Sequence, residues 1–230
     1  MAAWDLDAGL LLAERDRQRR RGEGPIQVML PARLPVSALV ALARDPDELA
    51  RQVRRPMPQP PARQARRGTE FHRWLEERFG QQRLIGDDDL FTDPEAESDV
   101  ALVHLRQKFE AGEWGDRWPR EVEVPFDTLI GDRQIRGRID AVFADAEGGF
   151  DVVDWKTGQP PRTQAEKDAV AVQLAAYRLA WAALAGIPLD QVRAAFYYVR
   201  HDLTVRPADL LNEAGLKALI DQIPIGSPAG

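Results

Sequence analysis

The segment DVVDWKTG, residues 151–158, places a carboxylate and an amine two positions apart at the end of an apolar run. Residues i and i+2 of a β-strand point to the same face, so Asp154 and Lys156 are predicted to project side by side from a sheet. An acid and an amine in this position can form half of a hydrolytic site. They can also form a surface ion pair, and spacing alone gives the two interpretations about equal weight.

A second acid is predicted beside Asp154 because the preceding residues form a hairpin. The segment GRIDAVFADAEGGFDVVDWKTG alternates apolar and polar residues on both sides of a turn near Glu147. Asp140 is seven residues before Glu147 and Asp154 is seven after it, so the two carboxylates are expected to be cross-strand neighbours. Adjacent carboxylates raise each other's pKa, and a cation between them relieves the repulsion. Such oxygen ligands suit Mg²⁺ or Mn²⁺, although Lys156 alone could neutralise the pair.

Three further polar residues are candidates for the same site. Gln173 and Tyr177 interrupt the apolar helical sequence AVAVQLAAYRLAWAALA and, four residues apart, share one helix face. They need a polar partner, either near Lys156 or in the backbone at a helix–sheet junction. His72 lies in the predicted helix GTEFHRWLEERFG. A single histidine is more often structural than a ligand, so His72 alone decides nothing.

Composition restricts the class of protein. The 230 residues carry a net charge of −6 and include 44% hydrophobic residues, enough for a packed core. No apolar run approaches the roughly 20 residues that span a bilayer, and the N-terminus lacks a signal-peptide pattern. We therefore expect a soluble, intracellular protein. The absence of cysteine excludes disulfides, thiolate metal sites and iron–sulfur clusters.

Charge is concentrated in two segments of opposite sign. Residues 51–73 contain seven arginines and one acid, whereas residues 87–99 contain seven acids and no base. A local basic segment can bind phosphates even in an acidic protein, although a solvated arm explains it at least as well. The candidate phosphate-contacting residues are Arg54, Arg55, Arg63, Arg66 and Arg67.

Periodicity predicts the elements that must position these residues. Residues 1–32 are predicted to form a helix followed by a connection that contains Gly and Pro. Further helical regions are predicted at residues 37–54, 68–80, 98–114 and 163–185, and a short helix follows Asn212. Ser37 is expected to cap the second region, and Thr163 with Glu166 forms a capping box on the fifth. The Pro- and Arg-rich residues 54–68 are predicted to be extended.

The predicted strands complete a mixed α/β fold around one sheet. Alternation of apolar and polar residues predicts a three-stranded antiparallel meander within residues 121–158, with turns at Gly131-Asp132 and Glu147–Gly149. Residues 193–200 are predicted to form a further strand, beside which residues 203–210 can pair.

Taken in order, GTEFH, GRID, VVDWKTG and QLAAY resemble the motifs of RecB-like nucleases of the PD-(D/E)XK superfamily. The resemblance covers residues 34–205. A narrower similarity, to the C-terminal nuclease domain of actinobacterial UvrD-like helicase–nucleases of the AdnA/AdnB type, is carried by the segments LPVSAL, RRPMPQPP and ARRGTEFHRWLEERFG. It implies a restriction-endonuclease-like fold, a central mixed sheet flanked by helices. The domains would be residues 1–33, an N-terminal helix and linker; residues 34–211, the nuclease domain; and residues 212–230, a C-terminal helix and tail.

The resemblance also implies an activity: exonuclease-type hydrolysis of phosphodiester bonds in single-stranded DNA or at duplex ends, dependent on Mg²⁺ or Mn²⁺, in double-strand-break repair. A cytoplasmic, nucleoid-associated protein is the corresponding expectation. The residues with implied roles are the metal ligands His72, Asp140, Asp154 and Trp155 through its carbonyl, the catalytic lysine Lys156, and Gln173 and Tyr177, which would support the site and contact DNA.

Two departures bound this interpretation. The sequence has no GxxxxGK[ST] phosphate loop and hence no ATP site, so a UvrD-like motor is expected elsewhere in a longer protein or in a partner subunit. The truncated-looking start WDLDAGLLLAERD favours a longer protein. A non-catalytic DNA-binding or docking module with the same fold is the alternative, and it predicts loss of an acid or of Lys156, which is not seen. A serine β-lactamase site, suggested by the KTG at residues 156–158, is rejected because no S-x-x-K is present.

Overall fold

The computed structural model describes residues 31–54, 63–80 and 100–221, and these residues form six α-helices and six strands. The helices are α1 (Val36–Arg44), α2 (Pro46–Arg54), α3 (Arg63–Gly80), α4 (Val100–Glu110), α5 (Gln164–Ala185) and α6 (Glu213–Asp221). The strands are β1 (Arg33–Pro35), β2 (Glu121–Ile130), β3 (Arg133–Ala144), β4 (Phe150–Lys156), β5 (Val192–Tyr198) and β6 (Leu203–Val205). Short 3₁₀ helices at Leu189–Gln191 and Val199–His201 flank β5.

All six strands belong to one mixed sheet, in the order β1-β3-β4-β5-β6 with β2 also paired to β3. The predicted meander is confirmed, since β2, β3 and β4 pair antiparallel in succession. β1 joins β3 and β5 joins β4 in parallel, whereas β6 pairs antiparallel with β5. The predicted mixed α/β architecture, a sheet flanked by helices, is therefore confirmed.

Strand β3 is shared by three neighbours, and this opens a gap in the sheet. β2 pairs with β3 from Arg133 to Val142 and so occupies one edge. β1 pairs with residues 134–136 and β4 with residues 141–144. Because a strand has only two edges for hydrogen bonding, β1 and β4 must use separate stretches of the second edge. Residues 137–140 lie between these stretches, and Asp140 is the last of them.

Hydrophobic clusters cover both faces of the sheet. One cluster packs α1, α5 and α6 against the strands through residues such as Leu39, Leu174 and Leu216. The other packs α3 and α4 against the opposite face through residues such as Phe71 and Phe109. The result is three layers, in which the sheet separates two groups of helices.

Helix α5 starts and ends where the sequence predicts. The Thr163 side chain accepts a hydrogen bond from Glu166 N, and the Glu166 carboxylate accepts one from Thr163 N, which completes the capping box. The helix stops at Gly186, whose φ of 65° is left-handed and suits glycine. Gln173 and Tyr177 therefore lie in the middle of a helix with fixed ends.

Two sequence predictions about helix starts are wrong. Ser37 is not an N-cap, because α1 starts at Val36 directly after β1 and Pro35 occupies the cap position without a side-chain hydrogen bond. The extended segment was predicted through residue 68, whereas α3 already starts at Arg63. Arg, Gln and Ala are good helix formers, and they outweigh the single glycine, Gly68, that the helix must include. His72 consequently lies in the third turn of α3 and not in its first.

Several predictions lie outside the described residues. They are the helix within residues 1–30, most of the extended segment at residues 55–62, the acidic segment 87–99 and the tail from residue 222. The domain boundaries stay a prediction. In the part of the chain that is described, no helix combines the length and apolarity that a membrane crossing requires.

We expect Thr163→Ala to lower the free energy of unfolding by about 1 kcal/mol, because the first turn of α5 loses its cap. Ser37→Ala is the matched control and is expected to change stability by less than about 0.5 kcal/mol, since Ser37 caps nothing. Urea denaturation of both variants measures the difference. Equal effects of the two substitutions would contradict the assignment of the caps.

Candidate active site and metal centre

The hairpin of β3 and β4 has the register that the sequence predicts, but it ends at the two acids. Ala141 pairs with Val153, and the same register would next place Asp140 opposite Asp154. The ladder stops one step earlier, and the strands diverge. The gap between β1 and β4 on the edge of β3 therefore starts at the two carboxylates.

The backbone of Trp155 faces this gap. Its N–H and C=O point to the same side of β4, where the continued register would place Ile139. The N–H instead donates to Asp140 Oδ2 at 2.8 Å. The C=O lies 3.1 Å from His72 Nε2 on helix α3. The side chain of Asp140 on β3 and that of His72 on α3 thus take the place of the missing strand partner.

Three side chains form a compact set of potential metal ligands. One ligand atom from each of His72, Glu123 and Asp140 can be chosen so that all three lie within 4.8 Å of one another. His72 Nδ1 is 3.5 Å from Asp140 Oδ2 and 4.0 Å from Glu123 Oε1. Together with the Trp155 carbonyl they are called the ligand group below. Asp154, predicted as a shared ligand, is not a member of this mutually close set.

Glu123 is a site residue that the sequence analysis missed. It lies on β2, where the pairing of Val122 with Ala141 brings it opposite Asp140. Its φ of 50° is left-handed, a conformation that costs a residue with a side chain about 1–3 kcal/mol. The available signal was the position of the Gly131-Asp132 turn, which fixes the β2–β3 register. Only the β3–β4 hairpin was used to place acids.

Asp154, Lys156, Gln173 and Tyr177 form a second set, called the lysine network below. Lys156 Nζ lies 2.7 Å from Asp154 Oδ2 and donates to Gln173 Oε1 at 3.2 Å. The Gln173 amide nitrogen donates to Asp154 Oδ1 at 2.7 Å and to the Tyr177 hydroxyl at 2.8 Å. Spacing paired Asp154 with Lys156 and Gln173 with Tyr177 and left the partner of the second pair open; in the structure Gln173 joins the two pairs.

Comparison with known proteins identifies the family. The family model described as the PD-(D/E)XK nuclease superfamily matches residues 47–223, more than half of the chain. The chain belongs to the PD-(D/E)XK nuclease superfamily. No curated protein matches it. The solved structure described as "Crystal structure of SSO0001" is similar with a TM-score of 0.40 and 16% identity, over 95% of this chain and 85% of that chain, and a likeness at this level carries no argument.

Burial makes the acids of this nuclease-superfamily domain electrostatically costly. Desolvation, followed by the charge of Asp154, raises the pKa of Asp140 well above its ordinary value, although the hydrogen bond from Trp155 opposes the shift. Burial, with the charges of Asp154 and Asp140, also raises the pKa of Tyr177, which stays a neutral phenol. Burial raises the pKa of Tyr198, beside Lys156 in the next strand, to about 12.

Nucleases of this superfamily use divalent metals, and the described donors fit one. The imidazole of His72 and the carboxylates of Glu123 and Asp140 converge and suit Mg²⁺ or Mn²⁺, whereas the Trp155 carbonyl lies beside the other imidazole nitrogen, Nε2. Asp154 Oδ2 is buried and lies 2.7 Å from the Lys156 amine, without a further hydrogen-bond partner in the described residues. A carboxylate oxygen can take more than one partner, so this oxygen can also contact a cation. A bound divalent ion would supply Lewis acidity and orient a phosphate and a water.

The structure places the predicted DNA-contacting arginines unevenly. Arg66 is exposed and Arg67 half-buried on α3, two turns or less before His72. Arg54 ends α2 and is exposed. Arg63 starts α3, where its side chain is not described, and Arg55 lies outside the described residues. Their contact with DNA stays a prediction.

We expect Asp140→Asn to stabilise the metal-free protein at neutral pH by on the order of 1 kcal/mol. A carboxyl whose pKa is raised by folding contributes stability below its unfolded pKa, and this contribution is lost as the pH rises through the folded-state pKa. Asparagine keeps an oxygen for the Trp155 N–H but removes the charge. Thermal unfolding should therefore show that stability falls less steeply above about pH 4 in the variant.

Adding Mn²⁺ tests whether the effect of Asp140→Asn comes from loss of a metal-binding charge or from changed packing alone. Mn²⁺ should raise the unfolding temperature of the wild-type protein and should leave that of Asp140→Asn nearly unchanged. A metal response of equal size in both proteins would remove Asp140 from the ligand group.

We expect Glu123→Gln to weaken Mn²⁺ binding at least about tenfold, because it removes one charged ligand while keeping the shape of the side chain. Asp127→Asn is the control, since Asp127 is an exposed acid on the same strand and not a member of the ligand group. Isothermal titration calorimetry measures both affinities. Equal Mn²⁺ affinities of the two variants would show that Glu123 is not a metal ligand and interacts only with neighbouring protein groups.

Proposed function

We propose that this domain is a Mg²⁺- or Mn²⁺-dependent deoxyribonuclease that hydrolyses phosphodiester bonds in single-stranded DNA or at duplex ends. The observation that carries the proposal is the meeting of two sets at the divergent ends of β3 and β4. The ligand group can hold a cation. The lysine network lies next to it, since the hairpin register aligns Asp154 with Asp140 and both Asp154 and Lys156 act electrostatically on Asp140.

In the proposed reaction Lys156 acts directly on the substrate, either by stabilising charge on the phosphate or by transferring a proton. Its side chain is 31% exposed, so the amine is held by Asp154 and Gln173 yet remains open to a substrate. It can donate to a non-bridging phosphate oxygen as negative charge builds there. In its neutral form it can instead take a proton from an attacking water.

Gln173 sets the position of the amine. Its side-chain amide is hydrogen-bonded at both atoms: the oxygen accepts from Lys156, and the nitrogen donates to Asp154 and Tyr177. Tyr177 is buried, which holds Gln173 in one orientation. Gln173 and Tyr177 are therefore proposed as positioning residues, and their predicted contact with the DNA strand belongs to the proposal.

The openness of the site supports a polymeric substrate. His72 is 30% exposed and Lys156 is 31% exposed, so a strand can approach both without entering a closed cavity. Arg66 and Arg67 precede His72 on α3 and can attract the phosphate backbone, which would make binding sensitive to salt. The order of the motifs supports the finer proposal of a RecB-like exonuclease that works with a UvrD-like motor in DNA repair.

We expect cleavage of end-labelled single-stranded DNA with Mg²⁺ or Mn²⁺ and none with EDTA. Asp154→Asn and Lys156→Ala should each lower the rate at least about 100-fold, because the first removes a charged ligand of the cation and the second removes the amine that acts on the reacting phosphate. Lys167→Ala, which removes an exposed lysine of α5, is the matched control and should cleave like wild type. Gel electrophoresis of the labelled products measures the rates.

Two further substrates test the finer claims. RNA of the same sequence should be cleaved more slowly if DNA is the substrate, and closed circular single-stranded DNA should resist cleavage if a free end is required. No cleavage of any substrate, with equal DNA binding by wild type and variants, would favour a non-catalytic DNA-binding module.

A further inference from the structure

A pocket of about 440 Å³ lies beside Lys156, on the side of β5. The loop between β4 and α5 forms one wall, and the C-terminal end of α1 contributes Arg44. Lys156 is the one residue of the lysine network that lines it. No residue of the ligand group lines the pocket.

The pocket carries an excess of positive charge. Arg44, Lys156 and Arg162 line it against one acid, Glu166. Both arginines are exposed, and both act electrostatically on the Glu166 carboxylate without a close ion pair to any of the described residues. The Glu166 carboxylate is already held by the backbone N–H groups of Arg162 and Thr163 at the start of α5. Two guanidinium groups are therefore available to an anion, although the whole chain is acidic.

The remaining surface of the pocket suits a planar or apolar group. Val170 is half-buried and Tyr198 buried, and two consecutive prolines of the loop complete the lining. A pocket at the lower end of the size range for small-molecule sites accommodates one nucleotide unit, with its base or sugar on this surface and its phosphate towards the arginines.

We infer that this pocket binds the nucleotide next to the scissile phosphodiester, and that Arg44 and Arg162 hold the phosphate of that nucleotide. The inference rests on the proposed function, since it takes the substrate to be a nucleic-acid strand. A strand whose scissile phosphate lies between the ligand group and Lys156 can continue past Lys156 into the pocket. Arg44 and Arg162 are thus substrate-positioning residues.

The test measures binding of a fluorescent single-stranded oligonucleotide in EDTA, so that no cleavage occurs. The Arg44→Ala/Arg162→Ala double variant should lose at least about tenfold in affinity. The slope of log affinity against log salt should become shallower by about 0.7 for each lost phosphate contact. Arg33→Ala/Arg136→Ala removes the same charge from exposed positions of the β1–β3 ladder and is the matched control. Equal losses in the two double variants would overturn the inference.

A neutral linkage locates the contact. A single methylphosphonate is moved along the oligonucleotide, one linkage at a time. At one linkage it should weaken binding by wild type and by the control, whereas the Arg44→Ala/Arg162→Ala variant should be insensitive there because the partner guanidinium groups are gone. Unchanged sensitivity of that variant at every linkage would also overturn the inference. Circular dichroism checks that the variants are folded.

Cleavage distinguishes failure of this inference from failure of the proposed function. If the wild-type protein cleaves DNA in a metal-dependent way, and the pocket and control variants bind the oligonucleotide equally well, the proposed nuclease function stands and the pocket inference is rejected. Loss of binding in the pocket variant, without cleavage by wild type, would keep the nucleotide site and reject the nuclease. For an active nuclease, the sensitive linkage should adjoin the cleaved one.

Discussion

The candidate site depends on the backbone N–H and C=O of one residue, Trp155, which have no strand partner on the β3 side. Within a sheet, its N–H and C=O would both bond the neighbouring strand, and burying them without partners would cost a few kcal/mol. Asp140 satisfies the N–H and His72 approaches the C=O. Both side chains are thereby drawn to the same point, so the requirement for hydrogen bonds at a strand end also assembles two ligands and a carbonyl.

The side chain of Trp155 explains why β4 holds its position while the sheet opens beside it. The indole is buried in the α3–α4 layer, with its ring 5.3 Å from that of Phe109 and 5.9 Å from that of Tyr197. Its neighbours Asp154 and Lys156 point to the opposite face, where α5 supplies Gln173. Alternation along one strand thus anchors the backbone in one layer and presents the acid and the amine to the other.

The parts of the site that were predictable from sequence are those fixed by the regular geometry of strands, hairpins and helices. Alternation of side chains along a strand places Asp154 beside Lys156, and the symmetry of a hairpin about its turn aligns Asp140 with Asp154. A spacing of four residues unites Gln173 with Tyr177. The same hairpin symmetry, taken about the Gly131-Asp132 turn, would have aligned Glu123 with Asp140, whereas no side-chain pattern signals the left-handed backbone of Glu123 within a strand. The early start of α3 was missed because the prolines before it suggested an extended chain.

The contact between Lys156 and Asp154 differs from an ion pair that serves stability alone. At 2.7 Å the two groups are close, and breaking a pair of this kind at a buried carboxylate is costly. Gln173 holds both partners from the side, and the Lys156 side chain is 31% exposed. In the proposed nuclease this arrangement has a use. The amine can contact a phosphate from its exposed side while it stays paired with Asp154.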